Sequence, residues 1–456
     1  MKNMTIEAIA AAVEGKYEGP ADTAEASSVI TDSRKADKDC VFVALPGERV
    51  DGHDFIPEVL SKGALCCISE KEIEGCDRVI VVESTAKALR DLAKYYLEQL
   101  DIKVVGITGS VGKTSTKEMI ASVLSSRFKI HKTAGNFNNE IGLPLTVFGI
   151  RDEHEIAVLE MGISDFGEMD RLAEIAKPDV MVITNIGQCH LEQLKNRDGV
   201  LKAKTECFEH LKPGALVILN GDDDKLSTIK NVPDATIKFF SKEDEKADAY
   251  ASEIHLCGVR GVEFKANAGS DSIQIHEPLP GEHNVYNVLA ATLVARHFGE
   301  TGEEIKKGAA KVPVLAGRNH LVVCGDLQVF DDCYNANPAS MKSSIDVITQ
   351  ENGRTVAILG DMGELGEDEK ALHYEIGEYL AKADLDAVYT VGTLTLETAR
   401  ALRKENPAVS CRSFDVKEDL YPVLKKEIKS GDTILVKASH FMKFEEIVDW
   451  FKKEYS

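Results

Sequence analysis

The sequence predicts an α/β protein of three domains in series, with a parallel sheet at its centre and a Rossmann-like sheet last. Three observations carry this. The chain has 456 residues, about three times an ordinary domain. From residue 103 onward, short apolar β-branched runs alternate with helical patterns, as in parallel sheets covered by helices. One alternation is joined by glycines, Gly109 and Gly112, that lead from a strand pattern into Lys113-Thr114 and a helix.

The first unit, 1–98, opens with an amphipathic helix interrupted by Glu7 and Glu14, which is not the pattern of a secretion signal. Strands are expected at Val41–Leu45, Ala64–Ser69 and Val79–Val82, with helices at Ile56–Lys62 and Thr85–Leu100. The second unit, 99–313, has strand runs at Lys103–Thr108, Ala157–Glu160, Val180–Thr184 and Leu216–Asn220. Helical patterns separate them at Thr114–Ser126, Glu168–Ala176 and Asp198–Leu211. Residues 235–278 read as short irregular strands, an edge meander, and a helix at Asn284–Phe298 closes the unit. Pro313 and Gly317 mark the boundary to the third unit, 314–456. There the strands are Leu327–Asp331, Thr355–Leu359, Ala387–Val391 and Thr433–Val436; the helices are Ser340–Gln350, Glu369–Ala381, Leu394–Lys404 and Phe441–Phe451.

Composition narrows the function classes. A net charge of −22 argues against nucleic-acid or anionic-membrane surfaces as partners. No apolar run approaches the roughly 20 residues that span a bilayer. The ten cysteines form no Cys-x-x-Cys, so free thiols in the reducing cytoplasm are expected, and a zinc site is not. A monomer is the expected state.

The most specific signal is Gly109-Ser110-Val111-Gly112-Lys113-Thr114-Ser115. Glycines let backbone N–H groups turn inward around a phosphate, and the helix N-terminus adds partial positive charge. Lys113 would reach the β/γ-phosphates of ATP, and Thr114 would ligate Mg²⁺. The pattern departs from Gly-x-x-x-x-Gly-Lys in having Ile107 at its first position. No Asn-Lys pair occurs, which excludes the guanine-reading motif of GTPases. Glu160 ends one strand run and His190 follows another, so both lie at the carboxyl edge of the sheet, where a carboxylate and a histidine could place Mg²⁺ beside the γ-phosphate. Lys202 and Lys204 lie on the helix after His190.

Gly106–Thr114, Leu159–Gly162, Thr184–Leu191, Ala203–Glu206, Pro280–Ala291 and Ala316–Arg318 together resemble the Mur ligases in order and spacing, over essentially the whole chain. Four segments look like the member that adds D-alanyl-D-alanine: Asp32–Arg34 with Asp51–Phe55, Asn136–Gly142, Asp331–Pro338 and Leu359–Gly366. The resemblance implies a three-domain Mur ligase architecture and ATP-dependent joining of D-alanyl-D-alanine to UDP-N-acetylmuramoyl-tripeptide. It implies that Ser33, Arg34, Gly47, Asp51 and His53 hold the UDP end, and that Asn136, Asn138 and Asn139 line the cleft near the reacting carboxylate. Glu160 and His190 would position a second Mg²⁺, with Lys204 carbamylated. Asn284 and Asn287 would approach the adenine, and Arg318 and Asp332 would reach the nucleotide from the third domain. Tyr334, Asn335 and Asn337 would line the acceptor side. Ala438 and His440 stand where relatives usually carry glycine and arginine, so His440 offers the acceptor fewer donors than arginine would. Addition of the third residue, folate polyglutamylation, and a nucleotide-gated binding module are the alternatives.

Overall fold

The computed structural model describes residues 1–47 and 50–455. Three sheets follow one another along the chain. The first holds β1 (Lys16–Tyr17), β2 (Ser28–Ile30), β3 (Cys40–Val43), β4 (Cys66–Ser69) and β5 (Val79–Val81), in the order β1-β5-β4-β3-β2. Strands β2 to β5 are parallel and β1 joins antiparallel. β3 and β4 are buried at every position, which is why they read as unbroken apolar runs. The helix Thr85–Glu98 starts where the Ser84 side chain accepts the Lys87 N–H, and it buries Leu89, Leu92, Ala93 and Tyr96. The Tyr96 hydroxyl donates to the Ile150 carbonyl at 2.7 Å, tying the first sheet's helix to the next unit.

The central sheet holds β6 (Lys103–Thr108), β7 (Ile130–Lys132), β8 (Ile156–Glu160), β9 (Val180–Ile183), β10 (Ala215–Asn220), β11 (Ala235–Ser241), β12 (Ala249–Leu256), β13 (Val262–Ala268) and β14 (Asp271–Glu277). Their order is β14-β13-β12-β11-β10-β9-β6-β8-β7. Pairing is parallel from β7 across to β12 and antiparallel through β13 and β14. Residues 235–278 are therefore regular strands of seven and eight residues rather than short irregular ones. A register shift between Ser252 and His255, with Glu253 at φ 52°, breaks the alternation that would have revealed them. The expected helix 198–211 is instead a helix Arg197–Thr205 followed by a 3-10 turn, Glu206–His210. The Thr205 hydroxyl bonds back to the Leu201 carbonyl at 2.9 Å, where the helix gives way.

The third sheet holds β15 (His320–Cys324), β16 (Leu327–Asp331), β17 (Thr355–Gly360), β18 (Ala387–Val391), β19 (Ser410–Phe414) and β20 (Thr433–Lys437), in the order β15-β16-β20-β17-β18-β19. Only the β15–β16 hairpin is antiparallel. The last helix runs Glu445–Tyr455, not from Phe441, because His440–Met442 is a 3-10 turn closed by Lys443 at φ 52°. The central and third units meet at the turn Gly258–Arg260 between β12 and β13. Val259 is 2% exposed and packs into the third unit's apolar cluster with Met341, Ile345 and Ile348. Its N–H donates to Glu351 Oε1 at 2.7 Å. Gly258 stands at φ 59°, where an L side chain is strained, and a Cβ there would displace the Glu351 carboxylate that receives the Val259 N–H, so the turn favours glycine.

Candidate active site

The strand β6 ends at Thr108 and the helix Lys113–Leu124 begins after a four-residue turn, Gly109–Gly112. Gly109 has φ 149° and Gly112 has φ 82°; a Cβ at Gly109 would sit 1.9 Å from Thr184 Oγ1. Both neighbours of β6 are parallel to it, β8 on one side and β9 on the other, so the turn opens at the sheet's carboxyl edge, where α/β folds bind ligands. Asn185 holds the apex: its Oδ1 accepts the Val111 N–H and its Nδ2 donates to the Val111 carbonyl, each at 2.9 Å. Thr184 Oγ1 donates to the same carbonyl at 2.6 Å. The Lys113 ammonium donates to the Gly109 and Ser110 carbonyls at 2.8 and 3.3 Å, and burial lowers its pKa.

Glu160 is brought to the turn by β8. Its Oε1 accepts from Thr114 Oγ1 at 3.1 Å and from Asn138 Nδ2 at 2.8 Å. Its N–H donates to Thr133 Oγ1 at 3.0 Å. Glu160 Oε2 is buried and accepts no hydrogen bond; the Lys117 ammonium stands 3.6 Å away. Lys117 lies one helical turn beyond Lys113, is 1% exposed, and donates to the Thr133 carbonyl at 2.7 Å. Lys204 is also 1% exposed; burial, assisted by the Lys113 charge, brings its pKa down to about 7. His190, at φ 51°, places Nδ1 3.2 Å from Glu364 Oε2 of the third unit. That contact holds the Glu364 carboxyl below its ordinary pKa.

The remaining expected residues divide into those open to a ligand and those engaged within the protein. Arg318 crosses from the third unit: its charge depresses Lys113, and its guanidinium lies 4.0 Å above the Tyr334 ring. The other ring neighbour of Tyr334 is His440, 5.4 Å away. Asp332 is engaged, pairing with the buried Lys437 ammonium and accepting from Ser344 Oγ at 2.6 Å and from the Asn319 N–H at 3.2 Å. Asn284 and Asn287 are buried and interlocked: Asn284 donates to the Pro280 carbonyl, Asn287 donates to Asn284 Oδ1, and Thr116 donates to Asn287 Oδ1. They brace the phosphate-loop helix with their amides. Asn337 Oδ1 accepts the Ser340 N–H at 2.9 Å, capping the helix Pro338–Ile348, and Asn335 Oδ1 accepts the Ala336 N–H at 2.9 Å. Asn136 and Asn139 are exposed, with Asn139 Oδ1 accepting the Gly142 N–H at 2.8 Å.

In the first unit, Ser33 and Arg34 form a turn capped by Asp32, and Arg34 holds the Asp32 carboxyl down at about 2. Asp32 and Lys35 line a cavity of about 300 Å³ whose opposite wall is His131, Lys132 and Phe137 of the central unit. Gly47 is exposed. His53 is buried and spends both ring nitrogens: Nδ1 donates to Asp51 Oδ1 at 2.5 Å and Nε2 accepts the Glu70 N–H at 3.0 Å. It fastens the loop rather than offering a ligand a donor.

Lys117, Thr133, Asn185, Glu364 and Lys437 belong to the site's framework and were not singled out from sequence. Lys117 carries a signal, its helical spacing from Lys113; Asn185 stands inside Thr184–Leu191 and Glu364 inside Leu359–Gly366. The pairings of Glu364 and Lys437 span long sequence distances and leave no local trace.

The arrangement, a glycine turn with a lysine between a strand-end carboxylate and an arginine from another domain, is that of a nucleotide-using α/β enzyme. Family models match three successive stretches of the chain. The Mur ligase family catalytic domain matches residues 25–97, the Mur ligase middle domain 107–295, and the Mur ligase glutamate ligase domain 317–440. The chain belongs to the Mur ligase family. It is 37% identical to the UDP-N-acetylmuramoyl-tripeptide–D-alanyl-D-alanine ligase of Bacillus subtilis (strain 168), over 98% of each chain. The crystal structure of MurF from Acinetobacter baumannii superposes with a TM-score of 0.91 at 33% identity, covering 99% of both chains. MurF ligase from Thermotoga maritima, solved in complex with ADP, superposes with a TM-score of 0.83 at 33% identity, covering 94% of this chain and 97% of that one. Among the described residues no helix is long and apolar enough to cross a membrane.

Proposed function

We propose that the chain joins D-alanyl-D-alanine to UDP-N-acetylmuramoyl-tripeptide, converting ATP to ADP and phosphate. The observation that carries this is the convergence of Lys113, Thr114 and Glu160 at one sheet edge with Arg318 facing them from the third unit. The tripeptide carboxylate attacks the γ-phosphate and becomes an acyl phosphate; the dipeptide amine then attacks that carbonyl and phosphate leaves. Phosphorylation is needed because a carboxylate is a poor electrophile. Lys113 and Arg318 supply positive charge where the transferring group gathers negative charge. Asn138, bonded to Glu160, lies on the loop where the reacting carboxylate would enter.

Mg²⁺ fits the same edge. Glu160 Oε2 is a buried carboxylate oxygen without a hydrogen bond, Oε1 accepts from the Thr114 hydroxyl, and hard oxygen donors suit that ion. Thr114 would hold one ion, and Glu160 and His190 with Lys204 a second; both would neutralise phosphate charge. Lys204 serves as an anion once carbamylated: its amine adds to CO₂ and a proton leaves. A pKa near 7 makes the free amine abundant at neutral pH. Residues 1–98 take the UDP end, 99–313 take ATP, and 314–456 take the dipeptide through Tyr334 and His440, in a cytoplasmic monomer.

The test is phosphate release with D-alanyl-D-alanine and UDP-tripeptides ending in lysine or diaminopimelate. Turnover should require both substrates, and Lys113→Ala should abolish it with an unchanged melting temperature. ATP hydrolysis indifferent to the dipeptide and to both tripeptides would overturn the reading.

A further inference from the structure

The segment Leu359–Gly366 follows β17 and has no role in the scheme above, yet its side chains are arranged with care. Asp361 is 6% exposed and accepts the Thr395 and Thr393 N–H groups at 2.8 and 3.1 Å. The Met362 N–H donates to His373 Nε2 at 2.9 Å, and the Gly363 N–H to Ser439 Oγ at 2.8 Å. Each residue from Asp361 to Gly363 is thus fixed inside the third unit. The next residue, Glu364, leaves it, and its carboxylate meets His190 Nδ1 of the central unit at 3.2 Å.

Both partners are held in left-handed backbone, Glu364 at φ 60° and His190 at φ 51°. Neither is glycine, so each conformation carries strain that the surrounding structure must hold. Glu364 keeps 73% of its side chain open to solvent, so the pair is worth little as a salt bridge. What it fixes is the imidazole. With a carboxylate 3.2 Å from Nδ1, the ring proton is favoured on that nitrogen and Nε2 is left with the lone pair; a metal-binding histidine characteristically turns its other ring nitrogen to such a partner.

We propose that Glu364 is a positioning residue for His190, supplied across the domain boundary. This rests on the assignment of His190 to the Mg²⁺ site. Arg318 reaches the nucleotide from the same unit, so a molecule with the third unit displaced lacks both the charge and the oriented imidazole.

The experiment is Mn²⁺ binding to the enzyme–ADP complex, read by electron paramagnetic resonance, together with the Mg²⁺ dependence of phosphate release. Glu364→Ala should weaken Mn²⁺ binding about tenfold, the lower end for such partners. It should raise the Mg²⁺ needed for half-activity while leaving the KM for UDP-tripeptide unchanged. Glu364→Gln keeps an oxygen acceptor for Nδ1–H and should stay close to the parent. Glu367→Ala, exposed on the 3-10 turn Gly366–Asp368 that follows, should match the parent in every measure. Parent-like Mn²⁺ binding by Glu364→Ala, or equal loss in the Gln and Ala variants, would overturn the inference. Failure of the parent to use the dipeptide, with Mn²⁺ binding still dependent on Glu364, would sink the proposed reaction and leave this inference standing.

Discussion

At the scale of single residues, the site separates side chains by whether their polar atoms are already spent. Lys113 and Arg318 touch nothing that a phosphate could not replace, since carbonyl and ring contacts are readily exchanged. Asn337 has spent its amide oxygen. Its position after β16 suggests an acceptor contact, but its Oδ1 caps the helix Pro338–Ile348 and Ser340 Oγ accepts the Asn337 N–H in return. Asn337→Ala should therefore cost about 1 kcal/mol of stability, as loss of such a cap does, seen as a lower urea midpoint. Asn337→Asp should keep most of it. A rise in the dipeptide KM without any loss of stability would return Asn337 to the acceptor site.

At the scale of elements, the legible parts were those in which one local rule dominated. β6, β8, β9 and β10 are buried on both faces, so their apolar runs stood out. The phosphate turn was legible because glycine, lysine and helix coincide within seven residues. β7 and β2 have three residues each and carry too little pattern. The helix Lys417–Glu427 holds Pro422 inside it, which argues against a helix in any sequence reading. β15 is mostly half-exposed, so its apolar face does not stand out. The turn Gly258–Arg260 was invisible because its meaning lies in the unit it touches. Val259→Asp would place a charge in the cluster of Met341, Ile345 and Ile348, where it has no partner. The expected result is a larger radius of gyration by X-ray scattering with an unchanged far-ultraviolet circular dichroism spectrum. An unchanged radius would mean that other contacts hold the third unit in place.

At the scale of the molecule, the contact between central and third units is expected to weaken in acid. His283 stands at its centre: Nε2 accepts from Asn319 at 3.0 Å and Nδ1 donates to Ser343 Oγ at 2.7 Å. Burial lowers its pKa to about 4, with Lys437 opposing protonation and Asp332 favouring it. A histidine depressed in the fold takes up a proton more readily when unfolded, so stability is retained above about 6.5 and lost as pH falls from there towards 4. Thermal melting should show that loss, and His283→Gln, which cannot be protonated, should flatten the profile in that window. An identical slope in both proteins would remove His283 as its source. The turn carrying Val259 bears on a different matter, the order in which the polypeptide is completed. Domains of a growing chain fold from the N-terminus onward. The third unit's apolar core includes a side chain made before it, Val259, so that unit cannot finish its core from its own sequence. The missing piece is already displayed on the β12–β13 turn when that unit emerges, and the central unit thereby acts as a template on which the third one condenses.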